Sequence, residues 1–347
     1  MMRNTLRILV VLVALGFAWC DQEAFADGRD RAGTSAAPEL LIPVGARDIA
    51  LGGASIANSA GIEAIHWNPA GLTWAKADAN AMFSTMSYLA DMRVNYLAVS
   101  GRFGDVGSLA IHLKALDIGS IPITTEQQPD GTGGTFTPTF FTLGVTYARN
   151  LTDRIALGTT LNYVSNEMDR VTATGTSFSA GLQYMDLGDI EGLDIGVAVK
   201  NMGTHMRFSG PGLLNRGELA DGDRGSSFYD VQASAADLPS TFELGLGYEY
   251  PVTEMGAVNV STLFQHQNYN FDNYKLGLEY VHDNFLYLRG GFDYAVDNGD
   301  DEYLFGTSAG LGVEFDVGGI QDIRLDYAYT SAEYFDALNT FTFQMGF

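Results

Sequence analysis

A few short runs in this sequence carry the residue types of reactive sites. Gly306-Thr307-Ser308-Ala309-Gly310 matches G-x-S-x-G, the pattern that presents a serine nucleophile. That chemistry needs a strand–turn–helix elbow. Ser308 instead falls in an alternating run with Phe305, Leu311 and Val313, which reads as mid-strand. Asp297 to Glu302 and Asp221-Gly222-Asp223 offer enough oxygens for a calcium ion. Both are polar and turn-rich, and read as solvated loops. The five histidines are scattered, with no H-x-x-x-H pair for a metal. Cys20, the only cysteine, lies in an apparent leader, so the mature chain has no thiolate. Nucleophile, base and orienter never come together. The expectation is a protein that is not an enzyme, with no catalytic residue, no metal and no cofactor.

The elements that hold these residues are more informative. The chain has 347 residues, with 46% hydrophobic, 12% aromatic and only 18% charged. Lys and Arg total 19 against 42 Asp and Glu, a net charge of −23, which excludes a duplex nucleic-acid binder. With 17 Tyr and 21 Phe, it is not a disordered acidic chain. Arg3 and Arg7, the apolar run Ile8 to Ala18 and the small residues of Ala24-Phe25-Ala26 form a signal peptide over 1–26, with cleavage before Asp27.

Beyond the leader, no apolar stretch reaches the ~18 residues a transmembrane helix needs. The recurring unit is a run of about ten residues alternating with period two between turn residues. Phe242, Leu244, Leu246, Tyr248 and Tyr250 share one face, and Glu243, Gly245, Gly247 and Glu249 the other. Fourteen such segments begin near Asn80, Met92, Gly107, Thr139, Arg154, Gly175, Leu193, Ser240, Gly256, Asn273, Asn284, Tyr303, Asp322 and Leu338. The long gaps, 117–138 and 201–239, both follow odd segments. The gaps after even segments are short. Long loops outside and short turns in the periplasm are the outer-membrane rule. The fold class is therefore all-β: a single transmembrane antiparallel barrel in the bacterial outer membrane. Its long loops are outside, and the even count puts both chain ends in the periplasm.

Lumen-facing charges follow from the alternation: Lys114, Arg154, Lys200, Glu243, Lys275, Glu279, Arg289, Asp293, Glu314, Arg324 and Asp326. His112 shares the face of Lys114 and reads as a polar liner. Their mixed signs suggest ion pairs tying wall to contents, not an ion-selective pore. At the carboxyl end Phe341, Phe343, Met345 and Phe347 share one face. Phe341, Phe343 and Phe347 resemble the terminal-strand signal that the barrel-assembly machinery reads.

Residues 27–77 break the barrel pattern, leaving 78–347 as the barrel. Asp27 to Ala37 is a polar lead. Ser59 could cap a short helix over Gly61 to Trp67, ended by Pro69. Asn68-Pro69-Ala70-Gly71 is a turn sequence. Small residues and tight turns suit a hatch folded inside the lumen, with Arg47 pairing to Glu243, Glu279, Glu314 or Asp326. The hatch motif comprises Gly45, Arg47, Gly52, Gly53, Asn68, Pro69 and Gly71.

G-A-R-x-x-x-L-G-G-A followed by N-P-A-G-L resembles the amino-terminal region of the PorV/PorQ family, within the FadL-like superfamily of outer-membrane proteins. The resemblance implies a fourteen-stranded barrel with an amino-terminal hatch. It implies two roles: passage or binding of hydrophobic compounds, or service as a type IX secretion component or shuttle that binds secreted cargo proteins. The first expects an apolar pocket among the long loops, with Phe136, Phe140, Leu213, Leu214, Phe228 and Tyr229 as ligand contacts. Expected partners are outer-membrane lipid, the assembly machinery, and hydrophobic small molecules or secreted proteins, with no nucleic acid.

Overall fold

The computed structural model describes residues 31–217, 226–253, 255–295, 304–318 and 320–347. The signal peptide, Asp221-Gly222-Asp223 and the Asp297 to Glu302 run lie outside these residues. No helix among them is long and apolar enough to cross a membrane. The chain crosses with strands. These are β1 (Ala79–Ser87), β2 (Arg93–Arg102), β3 (Ser108–Asp117), β4 (Thr139–Asn150), β5 (Ile155–Met168), β6 (Val171–Tyr184) and β7 (Leu193–Gly203). The second half supplies β8 (Thr241–Thr253), β9 (Gly256–Gln267), β10 (Asn273–His282), β11 (Leu286–Ala295), β12 (Phe305–Val317), β13 (Ile320–Ala332) and β14 (Leu338–Gly346).

Every strand pairs antiparallel with its sequence neighbours, and β1 closes on β14 through Asn80↔Gly346 to Ser87↔Asn339. Closure leaves no edge of unpaired amides in lipid. The alternation has the sense read from the sequence. Leu97, Ile111, Leu161 and Leu278 face outward and are exposed. Glu243, Glu279 and Asp326 face inward and are buried. The main boundary difference is β6, which starts at Val171, ahead of Gly175. Val171 to Thr174 extend the ladder against Thr174↔Ser165 to Val171↔Met168, near the outer hairpin, where a lipid-facing apolar face no longer marks the strand.

The loops after odd strands gather at one mouth and the short turns at the other. Two ribbons fold within the long loops: Ile121–Pro122 with Thr135–Phe136, and Leu214–Gly217 with Ser227–Asp230. The amino-terminal segment threads the lumen. Ala36 donates its amide to Asp237 O at 2.8 Å, and Arg31 meets Asp237 and the Tyr269 ring, all on the long-loop side. At the other mouth, Lys76 pairs with Glu314 and Arg102 N donates to Asp78 O at 2.7 Å. The expectation that both chain ends share the short-turn mouth concerns an amino-terminal end that lies outside the described residues. Phe347 lies there, but the first described residues stand at the opposite mouth, because the hatch segment itself crosses the lumen.

The outward face of β14 carries Phe341, Phe343 and Phe347, with Phe341 and Phe347 more than half exposed. Changing Phe343 and Phe347 together to Asp is expected to stop assembly. A lipid-facing charge costs about 2–4 kcal/mol at mid-depth, and the aromatic terminal face is lost. Undiminished heat-modifiable barrel in outer-membrane fractions of the double variant would contradict this.

Candidate functional site

The hatch is built by local turns. Gly45 takes a positive φ of 87° and precedes α1 (Ala46–Ala50), whose first amide, Ala46 N, is met by Thr342 Oγ1 of β14 at 2.8 Å. Asp48 accepts from Ser55 Oγ at 2.5 Å and Ser59 Oγ at 2.9 Å. This corrects the expected cap. Ser59 is drawn back to a buried carboxylate, and the next turns, Gly61–Glu63 and α2 (Ala64–Trp67), have no side-chain cap.

Asn68 is fully buried and does three jobs. Its amide donates to Ile56 O at 2.9 Å and Leu182 O of β6 at 3.0 Å, and its oxygen accepts from Ala70 N at 3.2 Å. Pro69 then opens a 3-10 helix, Pro69–Trp74, in place of the simple turn expected. A side chain at Gly71 would strike Ser59 O.

The hatch backbone rests directly on lumen-facing wall glycines. A Cβ at Gly158 would collide with Pro69, at Gly181 with Asn68, at Gly196 with Ile56 and at Gly291 with Gly52. These wall glycines seat the hatch, a role the sequence reading passed over. The signal was present, since glycine recurs on the face opposite the lipid side chains. Ser308 belongs to the same seat. It lies mid-strand in β12, and its hydroxyl donates to Ala50 O at 3.1 Å.

Charge fastens one side of the hatch. Arg47 reaches Glu279 of β10, its Nη2 lying 3.3 Å from Oε1. Glu279 also takes Arg289 Nε at 2.6 Å, and Arg289 Nη1 meets Asp326 at 2.5 Å. Arg324 Nε lies 3.0 Å from Asp326 and Arg324 Nη1 4.0 Å from Glu63 of the hatch. Ten of the eleven charges assigned to the lumen do face it. Arg154 does not, and pairs with Asp189 at the short-turn mouth, because β5 begins at Ile155.

On the outer side the Tyr269 hydroxyl donates to Asp237 at 2.6 Å. That hydrogen bond, with His205 and Arg31 beside it, holds the Asp237 carboxyl below its ordinary range. This carboxylate ties the lead to the long loops.

Between hatch and wall lies a cavity of about 330 Å³. The hatch side is mostly apolar: Leu40, Ile42, Ile49, Ile65 and Trp67. The wall side is polar, with Tyr96, His112, Lys114, Thr142 and Asn162. Of the hatch motif, Gly52, Gly53 and Pro69 border the cavity, while Gly45, Arg47, Asn68 and Gly71 build the frame beneath it. None of Phe136, Phe140, Leu213, Leu214, Phe228 and Tyr229 lines it. Phe136 and Tyr229 pair within the outer ribbons, and Leu214 and Phe228 are exposed. Phe140 packs against the core. The cavity sits deeper than the loop pocket expected, because Pro38 to Pro43 of the hatch segment helps enclose it.

Residues 25–187 match the family described as "Type IX secretion system protein PorV". No curated protein matches the chain. Among solved structures, the Pseudomonas putida toluene transporter TodX is 14% identical, with 88% of this chain and 97% of that one covered and a TM-score of 0.56. The Ralstonia pickettii toluene transporter TbuX gives 14%, 88%, 98% and 0.55. The CymD monoaromatic hydrocarbon channel gives 13%, 88%, 97% and 0.53. At such identities the likeness is one of fold.

Proposed function

We propose that this bacterial outer-membrane barrel, similar over residues 25–187 to PorV, binds hydrophobic compounds above its hatch and passes them through the barrel. The observation that carries this reading is the cavity between hatch and wall, with an apolar hatch face and room for a small ligand. The fold it shares with toluene and monoaromatic hydrocarbon channels supports the same direction. Ser308 serves the hatch seat, its hydroxyl donating to Ala50 O, and its strand setting gives no nucleophile elbow.

A neutral hydrophobic probe, butylbenzene, is expected to bind the purified barrel in nonionic detergent, measured by calorimetry. Filling the cavity with Ile42→Trp is expected to weaken it by at least about tenfold, or 1.4 kcal/mol. Unchanged affinity in that variant would place the ligand elsewhere.

The PorV match favours a second reading, a type IX secretion component that binds secreted cargo proteins. Exposed Leu214, Phe228 and Val231 on the outer ribbon supply apolar contact for such a partner. Deleting the gene separates the two. Periplasmic build-up of proteins normally secreted, with hydrocarbon uptake intact, would favour secretion.

A further inference from the structure

The lumen cations are not equally satisfied. Arg47, Arg289 and Arg324 share carboxylates in the network already described. Lys200 Nζ lies 2.8 Å from Glu243 and Lys275 Nζ 3.3 Å from Asp293. Lys114 is different. It is buried, borders the cavity, and has no carboxylate within 4.0 Å among the described residues. Its ammonium donates to two hatch carbonyls, Ile42 O at 2.5 Å and Leu40 O at 3.5 Å. Glu39 of the hatch makes no ion pair with it, and both Glu39 carboxylate oxygens are buried without a hydrogen-bond partner among the described residues. An ammonium has three donors, so one remains.

Other unmet polar groups surround it. The Tyr96 hydroxyl, Thr142 Oγ1 and His112 Nδ1 are buried and lack a hydrogen-bond partner among the described residues. Tyr96 and Thr142 pair directly with Lys114 across the β2–β3 and β3–β4 ladders. Gly144 makes room for His112, since a Cβ there would strike the imidazole. Buried polar groups left unpaired are costly, and a ligand that pairs them recovers that cost. Across the cavity stand Ile42, Ile65 and Trp67, which offer nothing to hydrogen-bond a head group except the Trp67 indole, and that donates to Val44 O at 3.0 Å.

We propose that Lys114, with Tyr96, His112 and Thr142, forms a subsite for the carboxylate of a compact apolar acid whose ring lies against Ile42, Ile65 and Trp67. This rests on the hydrophobic-ligand reading and adds a charged head to it. The small volume and the flat faces of Trp67, Tyr96 and His112 favour an aromatic body over a long chain. A charge-assisted hydrogen bond from Lys114 is stronger than a neutral one, so the acid should outbind its uncharged analogue.

The test compares 4-butylbenzoate, butylbenzene and laurate on the purified full barrel in nonionic detergent, by calorimetry. The benzoate is expected to bind at least about tenfold tighter than butylbenzene. Lys114→Met should abolish that preference, read as the ratio of the two affinities within the same variant, while Lys114→Arg should keep it. Heat-modifiability checks that each variant is folded. Equal affinity for acid and hydrocarbon, or equal weakening of both by Lys114→Met, would overturn the proposal. Laurate binding as tightly as the benzoate would overturn its compact aromatic part. Butylbenzene binding alone sinks this inference and spares the hydrophobic-ligand reading; binding of no probe sinks both.

Discussion

Deleting residues 40–72 yields a folded barrel whose conductance in planar bilayers exceeds that of the intact chain by roughly an order of magnitude, without ion selectivity. The reason is geometric. Eight strands leave an interior that side chains can fill, and wider barrels leave a channel. Here fourteen strands enclose the hatch, and its removal exposes the glycine seats Gly158, Gly181, Gly196 and Gly291, which contribute no side chain to fill the space. The wall closes through β1 and β14 without help from the deleted piece. Lys200–Glu243 and Lys275–Asp293 remain paired on the wall, so neither sign dominates the opened lumen. A truncated barrel that conducts no more than the intact one would show that the hatch is not the plug.

Glu279→Ala is expected to destabilise the folded barrel by about 3–5 kcal/mol, the usual effect of removing one partner from a buried ion pair. Glu279 is almost wholly buried and serves two cations, Arg47 and Arg289. Its loss leaves Arg289 with Asp326, and Arg47 with only Asp48 at 3.7 Å. Asn259, which donates to Glu279 at 3.1 Å, also loses its acceptor. Urea midpoints of heat-modifiability measure the change. Glu279→Gln should fall between, since it still accepts hydrogen bonds. Removing the exposed pair with Arg154→Ala should leave the midpoint unmoved. A Glu279→Ala barrel as stable as the wild type would mean that water, not the hatch arginine, solvates this position.

The strands were legible because a wall with lipid on one side and a packed lumen on the other imposes period two on every residue. That rule placed Lys114, Lys200, Lys275 and Glu279 on the inner face from sequence alone. It says nothing of height along the barrel, so it could not tell that Lys114 borders the cavity while Arg324 lies in the charge network. The hatch obeys no period. Its turns are fixed by contacts across the lumen, such as Asn68 to Leu182 and Ala46 to Thr342, so its motif could be recognised but its internal bonds could not. Ser59 shows the limit. As a local signal it is a helix cap, and only the folded hatch brings Asp48 to it. Of the six residues expected at a loop pocket, Phe140 falls in β4 and the other five in the long loops, and none lines this cavity. An apolar residue in a polar loop marks contact of some kind but not with what.

The threaded course of residues 31–78 also constrains the order of assembly. Arg31 is anchored to Asp237 and Tyr269 at the far mouth, and Asn68 and Pro69 are wedged against Gly181 and Gly158 on the way down. Once the β1–β14 seam has zipped from Asn80 to Ser87, a segment this closely fitted has no slack to be drawn in from the periplasm. In the intact chain the leading segment is therefore enclosed as the seam closes and not inserted afterwards, a passenger of closure and not its cause.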